Sequence, residues 1–171
     1  MTTNDRKKMN RIRTSVHMAG VLKYVVVLAI LVYIVLLMIY ASGSTKSFEQ
    51  VVELVEPSVK TENLVKQDSQ AIKRYYGLNS ADYNGVMFYS SDFNISAEEV
   101  LLIEVKSEKQ VQQVRDAVNE RLESRKNAFE EYAPEQIKLL EDAQLLVRGK
   151  YIFLAVSPDA AEYASIFINS L

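Results

Sequence analysis

No cysteine occurs in the 171 residues, and the single histidine is His17. The first absence removes disulfides, thiolate zinc sites, cysteine nucleophiles and a lipid-modified N-terminal cysteine. The second leaves everything after residue 17 without the commonest general base and the commonest zinc ligand. The acids lack the Asp-x-Asp-x-Asp-Gly spacing of a calcium loop. No Ser-x-x-Lys occurs after residue 42, and no internal repeat or low-complexity tract appears. No basic stripe with interleaved aromatics is present, which argues against nucleic acid. No catalytic residue, cofactor or metal is therefore expected.

One long apolar run stands against these absences. The eighteen residues 24–41 carry no charge. As a helix they would span roughly 27 Å, close to the thickness of a bilayer's hydrocarbon core. The run has no polar face, so residues 24–41 are expected to be a transmembrane helix in contact with the bilayer. Tyr24 and Tyr40 sit at its ends, where amphipathic rings prefer the headgroup zone. A cleaved signal peptide is the competing reading, because Ala41-Ser42-Gly43 offers small residues after the apolar run; signal-peptide cores are shorter than this one.

Charge orients the anchor. Residues 1–23 hold six basic side chains against Asp5, a formal +5, whereas residues 42–171 hold 14 Lys/Arg and 21 Asp/Glu, a formal −7. Basic flanks stay in the cytoplasm. The expected organisation is a basic cytoplasmic tail (1–23), the transmembrane helix (24–41), a linker (42–46) and one extracytoplasmic domain (47–171) at the cell membrane.

That domain reads as α+β, an antiparallel sheet of about four strands packed by helices. Ser47 with Gln50 forms a capping box for a helix that stops at Pro57. Asp68 caps a second helix, ended by Gly77. Asn84-Gly85 is a turn signal before the strand Val86–Tyr89. Val100–Val105 is short and β-branched, hence a strand. Ser107 and Gln110 open the longest helix, about Glu108 to Tyr132. Pro134 starts another that runs to Ala143. Leu145–Val147 and Tyr151–Val156 form a hairpin through Gly149. Ser157 and Pro158 begin the last helix.

The order of several short motifs resembles the bacterial family of unknown function DUF4358, found mainly in Firmicutes. The residues that carry the likeness include Tyr75-Tyr76-Gly77-Leu78, Ala97-Glu98-Glu99-Val100, Arg121, Tyr132-Ala133-Pro134-Glu135-Gln136, Gly149-Lys150-Tyr151 and Val156-Ser157-Pro158-Asp159-Ala160. The likeness runs roughly from Leu64 to Leu171. It implies attachment to the cell surface and no particular activity.

Arg121 and Arg125 lie seven residues after Val114 and Val118, so both fall on the apolar seam of the long helix. Three readings stay open for them: stems lying on the core edge, a buried ion pair with Glu98, Glu99 or Glu104, or an anion-binding pocket. Tyr132, Glu135 and Gln136 surround the proline junction between two helices and are candidates for a binding groove. The pairs Glu98-Glu99, Glu130-Glu131 and Glu141-Asp142 read as a solvated face, because adjacent helical side chains do not face one another. The tyrosines of the domain read as core-edge packing.

The function expected from this chain is a non-enzymatic interaction or scaffolding module of the bacterial cell envelope. Its partner would be another envelope protein or a second copy of the chain. The alternative is an extracytoplasmic domain that binds or senses a small anionic ligand, with Arg121, Tyr132 and Glu135 in its pocket.

Overall fold

A computed structural model describes residues 22–37 and 46–171, which belong to two separate units that divide near residue 42. In the first unit, residues 22–37 are helical (α1), and side chains such as Tyr24, Leu28, Leu31 and Tyr33 are exposed. Residues 38–41 of the expected membrane span, residues 1–21 of the basic tail and residues 42–45 of the linker lie outside the described residues. Among the described residues, no helix is long and apolar enough to cross a membrane.

The second unit is α+β, as the sequence predicts, but its antiparallel sheet has five strands. They are β1 (Leu64–Lys66), β2 (Tyr83–Ser91), β3 (Glu99–Val105), β4 (Gln144–Arg148) and β5 (Tyr151–Val156), in spatial order β1-β2-β3-β5-β4. The strand missing from the sequence reading is β1. It is three residues long, too short to show an alternating pattern, and it exists through its pairing with Tyr89–Ser91 of β2.

Side-chain alternation along the strands sorts the core into two faces. Phe88, Leu101, Ile103, Ile152 and Leu154 point to one side, where they meet α3 (Ser69–Tyr76), α4 (Lys109–Phe129) and α5 (Pro134–Glu141). Met87, Val100, Leu102, Phe153 and Ala155 point to the other, where they meet α2 (Phe48–Val55) and α6 (Ala160–Ser170). The interior strand β5 is buried along its whole length, as expected of a strand covered by helices on both sides.

Local signals explain most helix ends. The Ser47–Gln50 capping box forms, and Pro57 falls in a 3₁₀ turn that ends α2. Asp68 accepts from the Ala71 amide at 2.9 Å. Gly77 closes α3 at φ 67°, and Gly149 turns the β4–β5 hairpin at φ 55°, conformations that glycine adopts without steric penalty.

Three local expectations are corrected. Asn84-Gly85 is not a turn but part of β2, at an irregularity in its pairing with β3. Gly85 is needed there because a Cβ would overlap the Phe48 ring. Ser107 does not cap α4 with its hydroxyl; instead the Gln110 carboxamide oxygen accepts from the Lys106 and Ser107 amides. Helix α6 starts at Ala160, not Pro158, because Ser157 first forms a turn in which its hydroxyl accepts from the Asp159 amide.

Candidate functional site

One end of the sheet holds all five residues singled out above. The apolar seam of α4 carries Val114 and Val118 over the sheet, and the same seam then delivers Arg121 and Arg125 to the edge where β2 ends and β3 begins. Ser90 and Glu99 are cross-strand partners there, and their side chains share the face that α4 covers. Helix α4 ends at Phe129, Ala133 leaves the helical backbone region ahead of the proline, and α5 departs at Pro134. Tyr132, Glu135 and Gln136 thereby face the β2–β3 connection across a groove of about 440 Å³.

Arg121 settles into the ion-pair alternative of the sequence reading. Its Nε and Nη2 donate to Glu99 Oε2 at 3.3 and 3.1 Å, and the guanidinium lies over the Tyr75 ring at 4.6 Å. Glu99 is 1 % exposed. The expectation of a solvated Glu98-Glu99 pair fails at this residue for a geometric reason. Glu99 opens a strand, so it and Glu98 point to opposite sides and register sends Glu99 inward.

Arg125 does structural work of a different kind. Its Nη2 donates to the Ser96 carbonyl at 2.6 Å, and its guanidinium lies over the Phe129 ring at 4.4 Å. Gln136 makes a second tie to the same connection, accepting from the Ala97 amide at 2.7 Å. Within the connection, Ser91 Oγ accepts from the Phe93 amide and Ser96 Oγ from the Glu98 amide. The segment 92–98 is thus held by α4 and α5 as well as by its own turns.

Pinning the segment leaves its apolar side chains outside. Phe93 is 63 % exposed, Ile95 72 % and Tyr132 63 %. Tyr132 departs from the core-edge expectation that Tyr76, Tyr83, Tyr89, Tyr151 and Tyr163 satisfy by being buried. Glu98 and Glu135 add two carboxylates to the groove, and among the described residues no Lys or Arg lines it. Burial holds the Glu98 carboxyl above its ordinary range, against the Ser96 hydrogen bond, which lowers it.

Behind the groove lies a smaller cavity of about 40 Å³ that shares Ser91, Phe93, Ser96 and Glu98 with it. Among the described residues, four buried polar atoms in this region make no well-formed hydrogen bond: Ser90 Oγ, Glu99 Oε1, Arg125 Nε and the Tyr76 hydroxyl, which approaches the Glu99 carboxylate. Burial, then the nearby Glu99 carboxylate, pushes the Tyr76 phenol well above its usual range. Burial and the proximity of Arg121 lower the affinity of Arg125 for its proton.

Reading the sequence alone does not find Phe93, Ile95 or Ser90. The available signal is slight: two apolar residues alternate with Asp92, Asn94 and Ser96 in a segment otherwise suited to a turn. Among the described residues, no group of acids or histidines is placed to hold a metal ion.

No curated protein and no solved structure is significantly similar to the chain. A family model does match residues 57–157, more than half of the sequence, beginning before β1 and ending with β5, so that α6 falls outside the match. The chain belongs to that family, described as Domain of unknown function (DUF4358).

Proposed function

We propose that the protein is a non-enzymatic interaction module of the bacterial cell envelope, held at the membrane by residues 24–41 with its N-terminus in the cytoplasm and residues 47–171 outside. The uncharged run and the +5 to −7 change in formal charge across it support the anchoring. The observation that carries the interaction role is the groove beside the β2–β3 connection. Exposed Phe93, Ile95 and Tyr132 supply apolar area on a segment already pinned in place, which lowers the ordering penalty on association. With Glu98 and Glu135 as its charged groups, the groove suits a partner segment that combines apolar side chains with lysine or arginine.

The test uses the full chain in nanodiscs of neutral lipid and two fluorescent peptides of alternating leucine, one with lysine and one with glutamate. The lysine peptide binds more tightly, and Tyr132→Ala or Phe93→Ala weakens it at least tenfold. Equal binding of both peptides, or binding indifferent to these substitutions, overturns the reading. Protease added to intact cells should digest residues 47–171; protection until lysis would reverse the topology.

A second reading, binding of a small anion, draws support from a different cleft. Lys73 and Arg74 of α3 face Glu120 and Ser124 of α4 across about 350 Å³. Both basic groups are exposed and so keep most of their hydration, which makes this the weaker site.

A further inference from the structure

The 40 Å³ cavity behind the groove has its own chemistry, independent of whether a protein docks outside. Three of its lining groups present buried atoms with no well-formed hydrogen bond: Glu99 Oε1, Ser90 Oγ and Arg125 Nε. The Tyr76 hydroxyl approaches the Glu99 carboxylate from outside the lining, and a carboxylate oxygen with two lone pairs keeps room for a second donor. Glu99 is 1 % exposed and Ser90 5 %. The requirements of the three differ. An ionised carboxylate oxygen accepts, a guanidinium Nε–H donates, and a hydroxyl does either. Leaving such groups unpaired is unfavourable by about 1–3 kcal/mol each, so native proteins fill such places with a guest of matching polarity.

Charge decides what kind of guest. Glu98 and Glu99 contribute two carboxylates to the lining, Arg121 and Arg125 two guanidinium groups, and the formal charges cancel. An anion drawn to Arg125 Nε would meet the Glu99 carboxylate, and a cation drawn to Glu99 would meet Arg125. Arg121 cannot tip the balance, because two of its nitrogens are committed to Glu99 Oε2.

We propose that this cavity is a binding site for one small neutral group that donates and accepts hydrogen bonds at once, accepting from Arg125 Nε–H and donating to Glu99 Oε1, with Ser90 Oγ as third partner. Two sources share that chemistry: a water molecule from solvent, or a hydroxyl or carboxamide group projecting inward from a ligand in the groove. The four residues common to groove and cavity make the second source geometrically open. The site accordingly selects against the small anion that two neighbouring arginines would otherwise suggest.

The experiment is NMR on the full chain in nanodiscs, with the Arg125 Nε–H resonance assigned by its loss in Arg125→Lys. A long-lived water gives cross-relaxation to that proton. Acetamide, acetate and methylammonium are then added separately. Water contact with displacement by acetamide supports both sources, and water contact that acetamide leaves unchanged supports solvent alone. A shift of the resonance by acetate or methylammonium in preference to acetamide overturns the proposal. So does the absence of any contact from water or acetamide.

Thermal unfolding gives an independent sign. If the guest is present, Ser90→Ala removes a satisfied partner and lowers Tm by about 2–4 °C. If the cavity is dry, the same change removes an unsatisfied hydroxyl and raises Tm, which overturns the proposal. The peptide experiment at the groove can fail without touching either readout.

Discussion

The two faces of the sheet solve the same packing problem with different materials. Under α2 and α6 the core is apolar throughout its centre, with the Phe153 and Phe167 rings stacked at 4.8 Å and 10°. Under α3, α4 and α5 it is apolar over most of its length but gives way at one end to Glu99, Arg121, Ser90 and the Tyr76 hydroxyl. Burying an ion pair adds little stability over a hydrophobic pair of the same volume. The polar end therefore needs another explanation, and its position behind the groove supplies one. The Arg121–Glu99 pair ties α4 to the start of β3, and with the Arg125 and Gln136 ties to the β2–β3 connection it keeps that connection and the α4–α5 junction in a fixed relation while Phe93, Ile95 and Tyr132 stay outside.

The contrast makes its largest prediction on the apolar face. Phe167→Ala removes a fully buried ring from the stack and should destabilise the domain by about 3–5 kcal/mol, measured by chemical denaturation of the full chain. Next comes Arg121→Met, which leaves Glu99 buried without its counter-charge and should lower stability by about 3 kcal/mol or more. The decisive comparison is the double change Arg121→Met with Glu99→Leu. If the pair serves geometry, the double variant regains most of the stability of the parent but binds the lysine peptide less well. Regained stability with unchanged peptide binding would reduce the pair to a packing accident.

On the groove itself the expectation is inverted. Tyr132→Ala should shift stability by less than about 0.5 kcal/mol, as for an exposed side chain, while weakening peptide binding at least tenfold. A residue whose removal affected binding and stability equally would belong to the core rather than to the interaction surface.

The fold was legible in the sequence wherever a local signal coincided with the tertiary one. Ser47 with Gln50, Asp68, Gly77 and Gly149 each mark an element boundary that the structure keeps. Where pairing or register decided, the sequence was silent or misleading. Gly85 carries a turn signature, yet it sits in β2 to make room for Phe48. Glu98 and Glu99 look equivalent as letters, and the strand periodicity that separates them becomes visible once β3 is known to start at Glu99. At the candidate site, Arg121, Arg125, Tyr132, Glu135 and Gln136 could be picked out from helix phase and a proline junction. Ser90, Phe93 and Ile95 could not, because their roles arise from the closure of a hairpin against two helices distant in sequence.

The smallest expected effects give the sharpest version of the comparison, because they differ in sign. Glu56, near the α2 face, accepts hydrogen bonds from Lys66 and from the Tyr89 hydroxyl, which hold its carboxyl below the ordinary range. A depressed folded-state pKa contributes stability above the unfolded value of about 4.5, and that contribution is lost as pH falls through the folded pKa. Glu98, in the groove, is shifted upward, chiefly by burial. Its folded state binds the proton more tightly than the unfolded chain does, so ionisation above about pH 4.5 lowers stability and protonation relieves it. Glu56→Gln should therefore lower stability at pH 7 and Glu98→Gln should raise it, each by well under about 1 kcal/mol after solvent screening, read as shifts of Tm in opposite directions. Both differences should vanish in acid, because the parent carboxyls are then as neutral as the glutamines that replace them. If a bound basic segment reverses the sign at Glu98, making the carboxylate favourable at pH 7, then the unfavourable charge in the free groove is the feature that its partner exploits.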